Sequence, residues 1–153
     1  MTIAVDGDLP TSACSHCRAL DGLAYARCVQ VLVVDGANVV GSRPTGWWRD
    51  RAGAARRLHE AIAASALGYD VVVLVLEGVA KRGVPPGEVG TVHTVHAQGS
   101  GDDAIVKQVR SWRAKGDDVV VVTADRALRE RVASAGGSSV GPSWLLSQTG
   151  PDS

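Results

Sequence analysis

The sequence contains no phenylalanine, few cysteines and no net charge. Aromatic residues make up 4% of its 153 residues, whereas apolar residues make up 45%, and the Val-rich runs among them suit buried parallel strands. Three cysteines, Cys14, Cys17 and Cys28, cannot form a disulfide framework. Sixteen basic residues balance sixteen acidic ones, which excludes the highly basic class of nucleic-acid-binding proteins. Binding of a polyanion would therefore require a local basic surface.

Long hydrophobic segments and two familiar nucleotide-binding signatures are also missing. The longest strongly apolar run, Val71–Leu76, is far shorter than a membrane span. The first residues include Asp6 and Asp8 and lack the basic start of a secretory signal. The sequence has no P-loop and no Gly-x-Gly-x-x-Gly fingerprint. We therefore expect a soluble cytoplasmic protein that does not enter a membrane.

Hydrophobic periodicity predicts one α/β domain over residues 29–148. Residues 1–28 lack sustained periodicity and are predicted to be a poorly ordered extension, and 149–153 a short tail. Strands are predicted at 29–34, 71–76, 91–95 (a short edge strand), 119–122 and 138–140, and helices at 47–67, 101–115, 126–135 and from Pro142. This alternation indicates a mainly parallel sheet covered by helices on both faces. The Gly- and Pro-rich segment 78–90 is predicted to be a loop without regular structure.

Carboxylates follow three of the apolar runs. Asp35 comes directly after the first run, Glu77 after the second, and Asp125 shortly after the fourth, while Asp102 and Asp103 open the helix before the fourth strand. Because the carboxyl ends of parallel strands share one edge, where ligands bind in open α/β sheets, we expect these acids to converge. Clustered carboxylates repel each other unless a cation neutralises them. An all-oxygen cluster suits Mg²⁺ or Mn²⁺ rather than zinc.

Each of these residues also has a purely structural interpretation. Asp125 can be the N-cap of the helix that follows it. Ser100 and Asp103 fit a capping box, in which the acidic side chain reaches back to the N-cap residue. Glu77 can pair with a basic residue of the loop after it. Asp35 is harder to explain in this way, because a carboxylate directly after a buried run requires a cation or several hydrogen bonds.

Three short motifs that contain these polar residues occur in a fixed order along the chain. They are Asp-Gly-Ala-Asn at 35–38, Gly-Ser-Gly-Asp-Asp at 99–103 and Thr-Ala-Asp at 123–125. In this ordered set the chain resembles the NYN-domain branch of the PIN-like nuclease superfamily, close to its YacP-like bacterial group, over about residues 29–140. The resemblance implies a three-layer α/β/α sandwich whose mainly parallel five-stranded sheet has the strand order 3-2-1-4-5.

The same resemblance implies a divalent-metal-dependent ribonuclease that hydrolyses RNA phosphodiester bonds with one or two Mg²⁺ or Mn²⁺ ions. The implied roles are metal ligation by Asp35, Asp102 and Asp125, further ligation or positioning of water by Asp103 and Glu77, and hydrogen bonding to the ligands or a phosphate oxygen by Asn38 and Thr123. For Asn38, a turn that it holds through its own backbone is the alternative. Many relatives carry another acid near the position of Val106, so the second metal ion and catalytic competence stay open.

A basic segment with two tryptophans lies at 41–57. Five arginines and one acid, Asp50, give it a local excess of four positive charges, and Trp47 and Trp48 lie among them. Arginine contacts phosphate and an exposed tryptophan stacks on an unpaired base. Adjacent helical residues do not share a face, so we expect one tryptophan to be buried and one exposed. The predicted RNA-binding residues are Arg43, Trp47, Arg49, Arg51, Lys81 and Arg82, of which the last two can instead be a plain solvated loop.

Two other functions and one other metal site remain open on the sequence alone. The first alternative is a non-catalytic RNA-binding module of the same fold, and the second is a nucleoside triphosphate pyrophosphohydrolase. Cys14, His16, Cys17 and Cys28 offer four zinc ligands, but their spacing fits no common zinc motif, and reduced thiols are the alternative. The RNA partner can be single-stranded or structured. The oligomeric state is open, a homodimer included.

Overall fold

The computed structural model describes residues 29–42 and 46–149, apart from the side chain of Trp47. Its strands are β1 (Gln30–Asp35), β2 (Val71–Leu76), β3 (Gly87–Val89), β4 (Val92–His96), β5 (Asp118–Val122) and β6 (Ser138–Val140). Its α-helices are α1 (Gly36–Gly41), α2 (Arg51–Ala63), α3 (Gly101–Ala114), α4 (Arg126–Ser134) and α5 (Pro142–Thr149), with 3₁₀ helices at Trp47–Arg49 and Gly78–Gly83. The predicted extension 1–28 with its cysteines, Arg43, and residues 150–153 lie outside the described residues.

The six strands form one sheet in the order β3-β4-β2-β1-β5-β6. Five strands, β4, β2, β1, β5 and β6, run parallel to one another, and β3 is antiparallel to β4. The α/β fold predicted from the sequence is therefore confirmed, and the five predicted strands lie in the predicted order. The sixth strand, β3, was not predicted.

The segment 78–90 was predicted wrongly, because it contains both a 3₁₀ helix and β3. All three residues of β3 are exposed, so the sequence shows no apolar alternation by which a strand is recognised. The segment is a strand because its backbone pairs with β4, where Gly87 lies opposite Thr94. As a result β3, not β4, forms the edge of the sheet.

The first long helix is shorter than predicted, since α2 spans Arg51–Ala63. Asp50 has a non-helical φ of −150°, and its side chain accepts a 2.9 Å hydrogen bond from the amide of Gly53. This N-cap begins a new helix. Residues 47–49 therefore form a separate 3₁₀ turn, which periodicity alone did not separate from α2.

The core consists of two apolar layers, one on each face of the sheet. Alternate residues of β1 point to opposite faces, so Leu32 lies in the layer with α1, α2 and α5, and Val33 in the layer with α3 and α4. Leu58 of α2 and Ile105 of α3 are buried in these two layers. Among the residues that the structure describes, none of the helices combines the length and apolar character that crossing a bilayer requires.

Candidate active site

The carboxyl ends of the central parallel strands place Asp35 at the middle of one sheet edge. In the register of the sheet, Val34 of β1 lies between Leu74 of β2 and Val122 of β5. Asp35 is the last residue of β1, and Glu77 follows the end of the neighbouring β2. The loop after β5 lies on the other side of Asp35. We call this region the carboxylate edge.

Helix α3 begins at the carboxylate edge and is hydrogen-bonded to it. The amide of Gly101 donates to Oε1 of Glu77 at 2.6 Å, and a Cβ at Gly101 would lie 3.1 Å from the same oxygen. Glycine thus lets the helix start approach the carboxylate. The next residue, Asp102, is close enough to Asp35, Glu77 and Asp125 for mutual electrostatic repulsion. The structure therefore brings these four predicted acids to one edge.

Asp35 is a buried carboxylate with two hydrogen bonds. Its side chain is 8% exposed, Oδ1 accepts from the amide of Asn38 at 3.3 Å, and Oδ2 accepts from the hydroxyl of Thr123 at 3.0 Å. Burial raises the pKa of Asp35 to about 6, and repulsion by Asp102 and Glu77 adds to this effect, while the two hydrogen bonds oppose it. Hydrogen bonds alone thus do not compensate for the burial of this carboxylate.

The glycine after Asp35 is required by close packing of the backbone. Helix α1 begins at Gly36, directly beside β2. A Cβ at Gly36 would lie 2.8 Å from the carbonyl oxygen of Val75 and 2.8 Å from Cδ2 of Leu76. Real Cβ atoms do not approach this closely, so only glycine lets the chain turn into α1 at this point. This glycine fixes where Asp35 and Asn38 lie relative to β2.

Thr123 and Asn38 connect the loops after β1 and β5. Besides donating to Asp35, the Thr123 hydroxyl accepts from the amide of Asp125 at 3.2 Å. The side-chain oxygen of Asn38 accepts from the amide of Ala124 at 2.9 Å. Asn38 thus holds the loop after β5 rather than bonding to its own turn. The two motifs, far apart in the sequence, form one hydrogen-bonded unit.

Asp125 and Asp103 both have structural roles as well as a place at the edge. Oδ1 of Asp125 accepts from the amide of Leu128 at 3.2 Å, so Asp125 is the N-cap of α4. Ser100 is the N-cap of α3, as predicted, because its hydroxyl accepts from the amide of Asp103 at 3.1 Å. The Asp103 carboxylate does not reach back to Ser100. It forms a 2.9 Å ion pair with Arg131 of α4.

Asp102 is the acid with the fewest local partners. Its carboxylate is half-buried, and within 29–42 and 46–149 no hydrogen bond or ion pair to it is found. Burial raises the pKa of Asp102, as do the nearby Asp125 and Glu77, whereas Arg131 partly offsets them. Asp102 is therefore a carboxylate whose charge the surrounding protein leaves largely uncompensated.

Glu77 does not pair with a basic residue of the loop after it. The structural interpretation that the sequence allowed for this residue is therefore wrong. The ammonium of Lys81 instead donates to the carbonyl oxygen of Ala97 at 3.0 Å, and Glu77 accepts from the amide of Gly101. Lys81, in the 3₁₀ helix after β2, is thereby connected to the segment that follows β4. Arg82 is exposed.

The carboxylate edge has the donors that a hard divalent cation prefers, but not a closed metal site. Its ligating atoms are carboxylate oxygens, and Asp102 has no hydrogen bond or ion pair with any described residue. In the part of the chain that is described, however, no three Asp, Glu, His or Cys side chains lie close enough together to hold a metal ion. Binding a cation would require the carboxylates to move closer together.

The predicted basic surface is partly described. The side chain of Trp48 is 54% exposed, and the guanidinium of Arg49 lies 5.8 Å from the centre of its ring. Arg51, also exposed, begins α2. Trp48 fits the expectation of one exposed tryptophan, while the side chain of Trp47 and all of Arg43 lie outside the described residues.

The two predicted basic segments lie next to each other. Gly83, at the end of the second 3₁₀ helix, packs so closely on the carbonyl of Ala52 in α2 that no side chain would fit there. Arg82 therefore lies near the start of α2, where Arg51 is found. We call Trp48, Arg49, Arg51 and Arg82 the basic surface.

Two features on the face of the sheet that α3 and α4 cover were not predicted from the sequence. Arg131 was not predicted, although it neutralises Asp103. Also unpredicted is a groove of about 300 Å³ beside the start of α3, lined in part by Gln98 and Lys107. No spacing or motif signals either feature, because both arise from packing between elements.

Comparison with known proteins supports the fold. No family model matches the sequence, and no curated protein matches it significantly. Among solved structures, the chain is similar to a crystal structure of a variant of Rae1 (YacP) from Bacillus subtilis. The TM-score is 0.61 at 19% sequence identity, over 78% of this chain and 74% of that one. At this identity the likeness shows the fold alone: the chain has a YacP-like α/β fold.

Proposed function

We propose that the protein is a divalent-metal-dependent ribonuclease that hydrolyses RNA phosphodiester bonds at the carboxylate edge. The observation that carries this proposal is the environment of Asp35, which is buried, has a pKa raised to about 6 by that burial and lies near Asp102 and Glu77. Such a cluster destabilises the fold unless something neutralises it. Strongly shifted carboxylates of this kind are typical of functional sites.

The donor chemistry favours Mg²⁺ or Mn²⁺ as the neutralising group. Asp35, Asp102 and Asp125 would hold it, with Glu77 beside them and Asp103 available after its release from Arg131. A bound divalent cation would orient an attacking water and neutralise charge on the phosphate. Because the ligands are oxygens, zinc and other softer metals are poorer candidates.

The remaining polar residues position these acids. Thr123 and the amide of Asn38 each bond one oxygen of Asp35, so both oxygens have a defined direction. The Asn38 side chain holds the Ala124 amide, which fixes the loop that carries Asp125. With a pKa of about 6, Asp35 is mostly ionised at pH 7 and above, as ligation of a cation requires.

RNA as the substrate is supported by the basic surface and by the motifs. Arg49 and Arg51 can contact phosphates, and the exposed ring of Trp48 offers a face for an unpaired base. The chain as a whole is neutral, so this local surface provides the attraction to a polyanion. The resemblance of the three motifs to the NYN family, and the fold shared with Rae1 (YacP), also favour this substrate class.

Cleavage of a labelled single-stranded RNA with Mg²⁺ or Mn²⁺ tests the proposal. We expect Asp35→Asn to lower the cleavage rate about a hundredfold or more, because metal-assisted charge stabilisation is worth several kcal/mol, and a chelator to abolish cleavage. The matched control is Asp70→Asn, directly before β2, where the side chain accepts from the amide of Gln30 and an asparagine oxygen can do the same. Equal activity in the Asp35 and Asp70 variants would contradict the proposal.

Metal binding can be measured separately from cleavage. We expect Mn²⁺ at a hundred times its Kd to stabilise the protein by about 2.7 kcal/mol, since ligands that bind only the folded state stabilise it. Asp102→Asn should lose most of this stabilisation. A melting temperature that does not respond to Mn²⁺ or Mg²⁺ in the wild-type protein would exclude these ions as cofactors.

A non-catalytic RNA-binding module is the second candidate. Two observations favour it: among the described residues no three acids are close enough to hold a metal, and Val106 is a buried core residue, 3% exposed, where many relatives carry an acid. RNA binding that survives Asp35→Asn and a chelator, without any cleavage, would support this candidate. Release of pyrophosphate from a nucleoside triphosphate, with RNA left intact, would instead assign a pyrophosphohydrolase.

A further inference from the structure

A groove of about 300 Å³ lies between the end of β4 and the start of α3. Val95 and Ala97, which pack against the apolar layer of α3 and α4, form part of its wall. Ser100 also lines it, and the next residue, Gly101, is hydrogen-bonded to Glu77. The groove is therefore directly adjacent to the carboxylate edge, on the side of Glu77.

The groove carries polar side chains that the described part of the chain does not use. Lys107 and Gln98 are exposed and have no hydrogen bond or ion pair with any described residue. Gln108 accepts from the indole N–H of Trp112 at 3.0 Å through its side-chain oxygen, which leaves its amide N–H groups available. These residues offer one cation and two amides along an apolar wall.

The charge of Lys107 is not cancelled by the carboxylate that also lines the groove. Asp103 is paired with Arg131 at 2.9 Å. With Asp103 neutralised, the ammonium of Lys107 is available to an anionic ligand. A second ammonium, that of Lys81, lies at the carbonyl of Ala97, one of the wall residues.

We propose that this groove binds one unpaired nucleotide of the RNA, next to the bond that is cleaved. The inference rests on the proposed function and extends it to a single-stranded substrate. The apolar wall suits the face of a base, the amides of Gln98 and Gln108 suit its hydrogen-bonding edge, and Lys107 suits a phosphate. The volume is at the lower end of small-ligand pockets and takes a single nucleotide. A base enters it only when it is unpaired.

The groove and the basic surface lie on opposite faces of the sheet. The basic surface belongs to the helical layer of α2, whereas the groove borders α3 in the opposite layer. A single strand that contacts both therefore crosses the carboxyl end of the sheet beside Glu77. The edge between the two surfaces is where the scissile phosphate lies.

Binding without metal tests the groove independently of catalysis. The full chain, labelled with ¹⁵N, is titrated in EDTA with a short single-stranded RNA, and its amide resonances are followed. We expect shifts at residues 95–108, and about tenfold weaker binding in Gln98→Ala with Lys107→Ala, from the loss of one phosphate contact and one base contact. The matched control is Arg110→Ala with Gln148→Ala, exposed residues outside the groove. Shifts that avoid 95–108 would overturn the inference.

A cleavage assay separates this inference from the proposed function. We expect the groove variant to raise KM about tenfold with little change in kcat, and the wild-type protein to cleave a single strand faster than the same sequence in a duplex. Cleavage by the wild type with an unchanged KM in the variant would overturn the groove while the ribonuclease stands. If the wild type cleaves no RNA, the titration still decides. Lys107→Gln serves as a milder variant, and circular dichroism checks that both remain folded.

Discussion

The hydroxyl of Thr123 donates a 3.0 Å hydrogen bond to Oδ2 of Asp35, although the two residues lie 88 positions apart in the sequence. The same hydroxyl accepts from the amide of Asp125. Thr123 is fully buried, so water does not replace either bond when it is lost. One side chain thus couples the central acid of the edge to the loop that carries another acid.

Replacing Thr123 by valine should therefore destabilise the protein and raise the pKa of Asp35 further above its present value of about 6. The expected cost is about 1–3 kcal/mol, because the variant leaves buried polar groups without partners. Urea denaturation measures the stability and a ¹³C NMR titration of the Asp35 carboxyl measures the pKa.

The control for this prediction is Thr94→Val. Thr94 is also buried, but its hydroxyl has no hydrogen-bond partner among the described residues. We expect little loss of stability, or a gain, since no hydrogen bond is removed. If both valine variants lose the same stability, the hydrogen bond to Asp35 is not the reason for the effect.

Asp35 should make the stability of the fold depend on pH in a specific direction. Its pKa is raised from 3.8 to about 6 on folding, so the folded state binds the proton more tightly than the unfolded state. The free energy of unfolding of the wild type therefore rises, relative to Asp35→Asn, as the pH falls from about 6 to about 4. At pH 7 the variant should be more stable by at most about 3 kcal/mol.

Denaturation curves of both proteins in EDTA between pH 4 and pH 8 check this prediction. The informative quantity is the difference between the two stabilities, because other titrating groups are common to both proteins. A difference that stays constant over this range would show that burial of Asp35 does not shift its pKa.

Gly36→Ala should destabilise the protein by about 1–3 kcal/mol, a typical cost of forcing an extra atom into a packed site. The new Cβ would meet the Val75 carbonyl and Leu76 at 2.8 Å. Gly99→Ala is the control, because a Cβ there meets no atom of the described residues within 4 Å, and its stability should change by no more than about 0.5 kcal/mol. Equal melting temperatures for the two variants would be incompatible with the packing described at Gly36.

Arg49→Ala combined with Arg51→Ala should weaken RNA binding and reduce its salt dependence. The slope of log K against log salt is negative, and each lost phosphate contact on a single strand reduces its magnitude by about 0.7. The double variant should therefore reduce the magnitude by about 1.4. The control is Arg56→Ala with Arg57→Ala, two exposed arginines of the same helix further from its start. RNA binding is measured at several salt concentrations. If both pairs of substitutions changed the slope equally, the basic surface would not be a specific site of phosphate contact.

Much of the fold was predictable from the sequence because buried parallel strands are continuous apolar runs. Val71–Leu76 is such a run and forms β2 with the predicted bounds. β3 escaped prediction because its residues are exposed and only backbone pairing with β4 makes it a strand. The start of α2 escaped because capping by Asp50, not the apolar pattern, sets it.

The sequence determined which acids follow the strands, and thereby that Asp35, Glu77 and Asp125 come to one edge, because parallel strands align their carboxyl ends. Only the tertiary structure decided what each side chain contacts there. It paired Asp103 with Arg131, directed Glu77 to Gly101 and placed Asn38 on Ala124. Linear order specifies where a strand ends, whereas hydrogen bonds and ion pairs between distant residues depend on how separate elements pack against each other.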